Sequence, residues 1–86
     1  MTTQCIKLSE LAVGDCAHVK ILLNTGDIRR RLQDLGLVEE TAVECIGKSP
    51  GGGMSAYLIR GAVIALRDED AAQVLVTLLG EGGGIS

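Results

Sequence analysis

Asp27-Ile28-Arg29-Arg30-Arg31-Leu32-Gln33-Asp34-Leu35-Gly36-Leu37 is the one stretch of the chain with helical periodicity and both ends marked. Ile28, Leu32 and Leu35 fall at i, i+4 and i+7, so a helix places them on one face and the arginines fan around the rest. Asp27 is positioned to cap the first turn, and Gly36 to close the last in a left-handed conformation. The segments on either side alternate with period two instead. A single short helix pinned onto a small sheet is the architecture these patterns describe.

Upstream, Leu8 and Leu11 read as one helical turn or a tight loop, broken by Gly14-Asp15. Residues 16–23 alternate as a first strand, with Ala17, Val19, Ile21 and Leu23 facing one way and Cys16, His18, Lys20 and Leu22 the other. Asn24-Thr25-Gly26 turns the chain into the helix. Downstream, residues 41–46 form a second strand, with Val43 and Cys45 opposite Ala42, Glu44 and Ile46. The run from Gly47 through Pro50 to Gly53 is a flexible loop. Strands at 55–60 and 62–66 meet at Gly61. Asp68 is placed to cap a short acidic helical turn over 68–73, and residues 74–79 form a last, nearly all-apolar strand. Residues 1–79 make the domain and 80–86 a flexible C-terminal tail. Five short strands with one helix indicate a mainly β fold, a small partly closed barrel whose closure hides its strand edges.

A chain of 86 residues buries only about 60–65% of its unfolded surface, enough for one core and one domain. Hydrophobic residues at 47% and charged residues at 22% are globular composition. Trp and Phe are absent and Tyr57 is the single aromatic residue, so the core is aliphatic and there is no platform on which bases could stack. A net charge of −3 with an isoelectric point near 4.9 lacks the basic footprint of nucleic-acid binding. The longest apolar run, residues 71–79, is interrupted by Gln73 and Thr77 and is far shorter than the roughly 18 residues of a membrane span. Met1-Thr2-Thr3-Gln4 has no signal-peptide character. A cytoplasmic chain with no direct membrane insertion is expected. Cys5, Cys16 and Cys45 are odd in number and widely spaced, which fits reduced thiols.

Three patterns occur in order: Leu8-x-x-Leu11-x-x-Gly14, Arg31-Leu32-x-x-Leu35-Gly36-Leu37, and Gly61-x-x-Ile64-Ala65-Leu66-Arg67-x-x-x-Ala71. Together, over residues 8–79, they resemble the ferrous iron transport protein A (FeoA) family. The resemblance implies an SH3-like barrel acting in the cytosol as an accessory to the ferrous iron transporter FeoB, at the cytoplasmic membrane face, where FeoB carries a GTPase domain. It also implies likeness to the C-terminal domain of iron- and manganese-dependent repressors. A second function follows from that likeness: a stand-alone regulatory domain that senses metal or binds peptide. The chain departs from the pattern where members commonly carry Pro-Gly after the helix. Here Glu39-Glu40 stands, and glutamate takes a positive φ poorly.

Candidate sites divide by chemistry. Taking Ile28 as zero on a helical wheel, Arg30 lies near about 200° and Arg31 near about 300°, beside the apolar stripe. Arg31 is therefore assigned to the fold, its fork reaching toward Asp68 to Asp70, and Ile28, Leu32, Leu35, Gly36, Gly61, Leu66 and Arg67 join it as structural residues. Asp27 with Arg31 and Arg30 with Asp34 are spaced as i, i+4 pairs. Arg29 and Arg30 are the partner-contact candidates, with Met54 and Tyr57 beside the glycine loop as adaptable contacts, core and rim placement being open to both. Cys16 and His18 share a strand face, but a structural metal site needs about four ligands. They are weak candidates, and neither a metal nor any cofactor is expected. Gly51-Gly52-Gly53 precedes a strand rather than a helix, so it is no phosphate loop. One tyrosine cannot line a proline-peptide groove, and His18 has neither nucleophile nor orienting carboxylate at readable spacing. A non-enzymatic interaction module follows. Leu22 and Leu78 are the residues through which it could form a homo-oligomer.

Overall fold

The computed structural model describes residues 5–78; the expected tail at 80–86, and residue 79 of the last expected strand, lie outside them. Six strands, β1 (Cys5–Lys7), β2 (Cys16–Leu22), β3 (Ala42–Lys48), β4 (Met54–Ile59), β5 (Ala62–Arg67) and β6 (Val74–Leu78), are joined by a 3₁₀ turn (Leu8–Glu10), helix α1 (Gly26–Asp34) and a short helix α2 (Asp68–Ala71). All six pair antiparallel in one sheet, ordered β1-β6-β2-β3-β4-β5. The mainly β class stands with one strand more than the sequence pattern shows. That strand, β1, pairs with β6 from Cys5↔Thr77 to Lys7↔Leu75. It is too short to display an alternation.

The inner faces of β2 to β6 feed one cluster that contains Leu8, Leu11, Val19, Leu32, Leu37, Val43, Tyr57, Ile59, Val74 and Val76. One sheet can bury residues from so many strands in a single cluster only by curling around them. It does not close: β1 and β5 remain its two edges.

Two bulges interrupt the alternation, and the one in β2 corrects the expected strand faces. In β2 the register steps from Val19↔Val76 to Ile21↔Leu75, so Lys20 is the extra residue. Beyond it the parity inverts, burying Leu22 and exposing Ile21 and Leu23. Leu22 is therefore core rather than an oligomerisation contact. In β3, Ile46 is the extra residue between Cys45↔Tyr57 and Gly47↔Ala56. A bulge inserts one residue without changing composition, so strict alternation misreads everything past it.

The helix also departs from expectation. Its cap is Thr25, which makes no side-chain bond to the first turn, and Asp27 falls inside that turn rather than capping it. Leu32 is 2% exposed, whereas Ile28 and Leu35 are 37% and 38% exposed. α1 therefore touches the core through the middle of its stripe and through Leu37 just beyond its end. Asp68 does not cap α2 either. Its carboxylate instead accepts from Gly53 N at 3.1 Å and Ser55 Oγ at 3.0 Å. Together with Ser49 Oγ, which donates to Gly52 O at 2.6 Å, this ties down the loop expected to be mobile.

Two backbone positions set the connections. Gly36 has φ +108°, and a Cβ there would lie 3.2 Å from Arg60 Cδ and 3.3 Å from Ile59 Cγ2. Glu40 does take a positive φ, 74°. Thr41 N donates to Val38 O across the turn, and a positive φ at the third position is the type II pattern that ordinarily favours glycine. Lys20 Nζ then pairs with the Glu40 carboxylate at 3.0 Å.

Leu32→Ala is expected to cost about 2–5 kcal/mol in urea unfolding and Ile28→Ala less than about 1 kcal/mol, since only the first deletes fully buried volume. Equal losses would place the whole stripe in the core. Gly36→Ala is expected to lose about 1–3 kcal/mol by the same measurement, from strained φ and the contact with Ile59.

Candidate functional site

Helix α1 is hung across the open side of the sheet by both ends. At its start, Arg29 Nη1 donates to Leu22 O at 3.3 Å, and the buried Asn24 donates through Nδ2 to Asp70 O at 3.1 Å. At its finish, Gly36 lies against Ile59 and Arg60. Between these anchors a groove of about 390 Å³ is left, lined on one side by Ile28, Arg31, Leu32 and Leu35 of α1. Met54, Ala65, Leu66, Arg67 and Asp70 line the other. Apolar Ile28, Leu32, Leu35 and Leu66 share its lining with the charged Arg31, Arg67 and Asp70.

Most residues read from the sequence as structural meet here. Arg31, Leu32 and Leu35 of one motif and Leu66 and Arg67 of another face one another across the groove. Arg31 makes no ion pair: among the described residues the pairs are Lys20–Glu40 and Arg67–Glu69. The expected fork toward Asp68 to Asp70 is thus absent, Asp68 being engaged with Gly53 and Ser55, and the two i, i+4 pairs of α1 do not form. Arg67–Glu69 spans 3.7 Å with both side chains largely in solvent, so it contributes little. Gly61 turns the β4–β5 hairpin with φ +84°, beside Arg60 at φ +53°.

The contact candidates separate. Arg30 is exposed, and Arg29, though exposed, also ties α1 to β2. Met54 is exposed at the groove mouth. Tyr57 is fully buried, and its hydroxyl donates to Leu8 O at 3.3 Å. An alternating strand puts Tyr57 on the inner face with Ser55 and Ile59, so it contacts no partner. Cys16 stands opposite Glu44 on the outer face, with His18 two residues on. Among the described residues no three His, Cys, Asp or Glu side chains gather closely enough to hold a metal ion. No helix among them is long and apolar enough to cross a membrane.

Burial raises the Tyr57 phenol above its ordinary value of 10.0. The hydrogen bond and charge of Glu40 raise Lys20 above 10.5. Each native value exceeds that of the unfolded chain, so the stability each contributes is whole below the unfolded value and is lost as pH rises from there through the native value, the exposed Lys20 pair contributing little. Tyr57→Phe is expected to cost about 0.5–1.5 kcal/mol near neutrality and to make the decline in urea midpoint above about pH 10 shallower. An unchanged alkaline limb would show that the phenol is not shielded.

A family model described as FeoA domain matches residues 6–78. The solution structure of the FeoA protein from Chlorobium tepidum superposes with a TM-score of 0.83 at 33% identity, covering 87% of this chain and 71% of its own. The FeoA of Stenotrophomonas maltophilia, solved in complex with zinc and described as a prokaryotic SH3 domain protein, gives 0.74 at 32% identity, over 83% and 88% of the two chains. A manganese-dependent transcriptional repressor shares the fold at 19% identity with a TM-score of 0.80, across 92% of this chain and 44% of that one. No curated protein sequence matches. With the three motifs placed on the strands and helix where the family model spans them, the chain belongs to the FeoA family, which is tied to ferrous iron transport.

Proposed function

We propose that this chain is a cytoplasmic, non-enzymatic accessory of ferrous iron uptake that docks through α1 on the cytoplasmic part of the transporter FeoB and modulates it. The supporting observation is the placement of arginine. In a chain of net charge −3, every arginine lies on α1, at Arg29, Arg30 and Arg31, in the β4–β5 turn, at Arg60, or at the end of β5, at Arg67. All five are exposed. Three consecutive arginines, outnumbering Asp27 and Asp34 on the same helix of an oppositely charged protein, favour an anionic partner surface and orient its approach. Arginine also suits an interface better than lysine, because its weakly hydrated planar fork loses less on desolvation. Arg30, free of ion pairs among the described residues, is available for this contact without disturbing the fold.

The test is retention of the cognate FeoB, as cytoplasmic domain and as full-length protein, with and without guanine nucleotide. Arg29→Glu with Arg30→Glu is expected to weaken retention by about tenfold or more and to lower iron uptake in cells. Urea unfolding reports separately on the bond from Arg29 to Leu22. No retention of the unaltered chain in any nucleotide state, or equal retention of the variant, would overturn the proposal.

A further inference from the structure

Strand β5 is an edge of the sheet. It pairs with β4 alone, in unbroken register from Ile59↔Ala62 to Met54↔Arg67. In an antiparallel ladder every second residue directs its N–H and C=O away from its partner, so the far side of β5 presents a row of backbone donors and acceptors. The groove meets that row at Ala65, Leu66 and Arg67, the last three residues of the strand. Ala65 and Leu66 are consecutive, with Ala65 exposed and Leu66 buried on opposite faces of the sheet, yet both line the groove. A groove that touches both faces of one strand lies at that strand's edge.

Natural edges are usually blunted by proline, a bulge, inward charge or brevity. β5 has no proline, no bulge and no charge before Arg67 at its end, and Val63 is 65% exposed. The opposite edge, β1, has three residues, and both strands that carry bulges are interior. The unguarded edge is therefore the one that faces a groove. Its walls carry two guanidiniums, Arg31 on the helix and Arg67 on the strand, against the single carboxylate of Asp70. Arg31 has no ion-pair partner among the described residues, and Arg67 has only the exposed Glu69.

We propose that the groove between α1 and β5 binds an extended acidic peptide segment, which adds to the edge of β5 as a further strand of the sheet. The peptide backbone forms the ladder with β5. Alternate side chains are apolar and turn toward Leu32 and Leu66, and the carboxylates between them meet Arg31 and Arg67. Backbone pairing supplies sequence-tolerant affinity, while the alternation of apolar and acidic residues supplies selectivity. This site is separate from docking through Arg29 and Arg30, neither of which lines the groove.

The test titrates the isotope-labelled full chain, by amide NMR, with a capped Val-Glu-Val-Glu-Val-Glu-Val peptide and its Val-Lys counterpart. The acidic peptide is expected to give saturable shifts in β5 and to slow hydrogen exchange at every second β5 amide. Arg31→Ala with Arg67→Ala is expected to weaken binding about tenfold, with the cross-strand contacts of β4 and β5 preserved. N-methylation of the peptide at its ladder-facing amides, which leaves the protein untouched, is expected to abolish binding. The proposal is overturned by equal binding of the lysine peptide, by shifts confined to Arg29 and Arg30, or by no response at millimolar peptide. Pairing of β5 with a second copy of the chain in the absence of peptide would also overturn it. The probe carries no transporter sequence, so its failure leaves docking on FeoB standing, and loss of that docking leaves this site standing.

Discussion

The approach of Gly36 to the β4–β5 hairpin is the contact from which the rest of the site follows. A helix of nine residues is too short to be stable alone and owes its position to tertiary anchors. Gly36 permits one anchor, because with φ +108° and no side chain it lets the backbone reach Ile59 and Arg60. Arg29 and Asn24 provide the other, on the Leu22 and Asp70 carbonyls. Hung by its ends, α1 sinks Leu32 into the core but leaves Ile28 and Leu35 half-buried along a groove. Had the helix lain flat on the sheet, that groove would have been filled and the β5 edge covered.

What the sequence showed and what it hid have physical causes. Period and turn chemistry revealed the helix, the hairpin at Gly61 and the inward Val43 and Cys45, because those signals are local. Both bulges escaped, since one extra residue leaves no mark in composition, and with the one in β2 went the assignment of Leu22 to the surface. The groove was hidden for another reason: its walls come from motifs some thirty residues apart, and each motif by itself reads as core. A helical wheel places Ile28 on the apolar face but cannot say how deeply the neighbouring sheet takes it in. Arg31, beside the stripe, was legible as flanking the core; that it stands unpaired over a cavity was not.

Glu40 shows how a local rule can give way to a non-local gain. Glutamate in a left-handed turn is strained, and glycine would take that conformation without cost. In this chain Glu40 N donates to Val19 O at 2.7 Å, and its carboxylate holds Lys20, the residue extruded by the β2 bulge. The bulge that inverts β2 and the turn that follows α1 are thus stitched together. Lys20 would otherwise be the unmatched residue of its strand.

The two edges of the sheet differ in a way that folding alone does not require. An edge need only be short, charged or irregular to remain monomeric, and β1 meets that condition with three residues. β5 is twice as long, regular and almost uncharged, and its last three residues line the groove across from α1. The helix that leaves the groove open also brings Arg31 opposite Arg67, and those two guanidiniums restrict by charge what can occupy it.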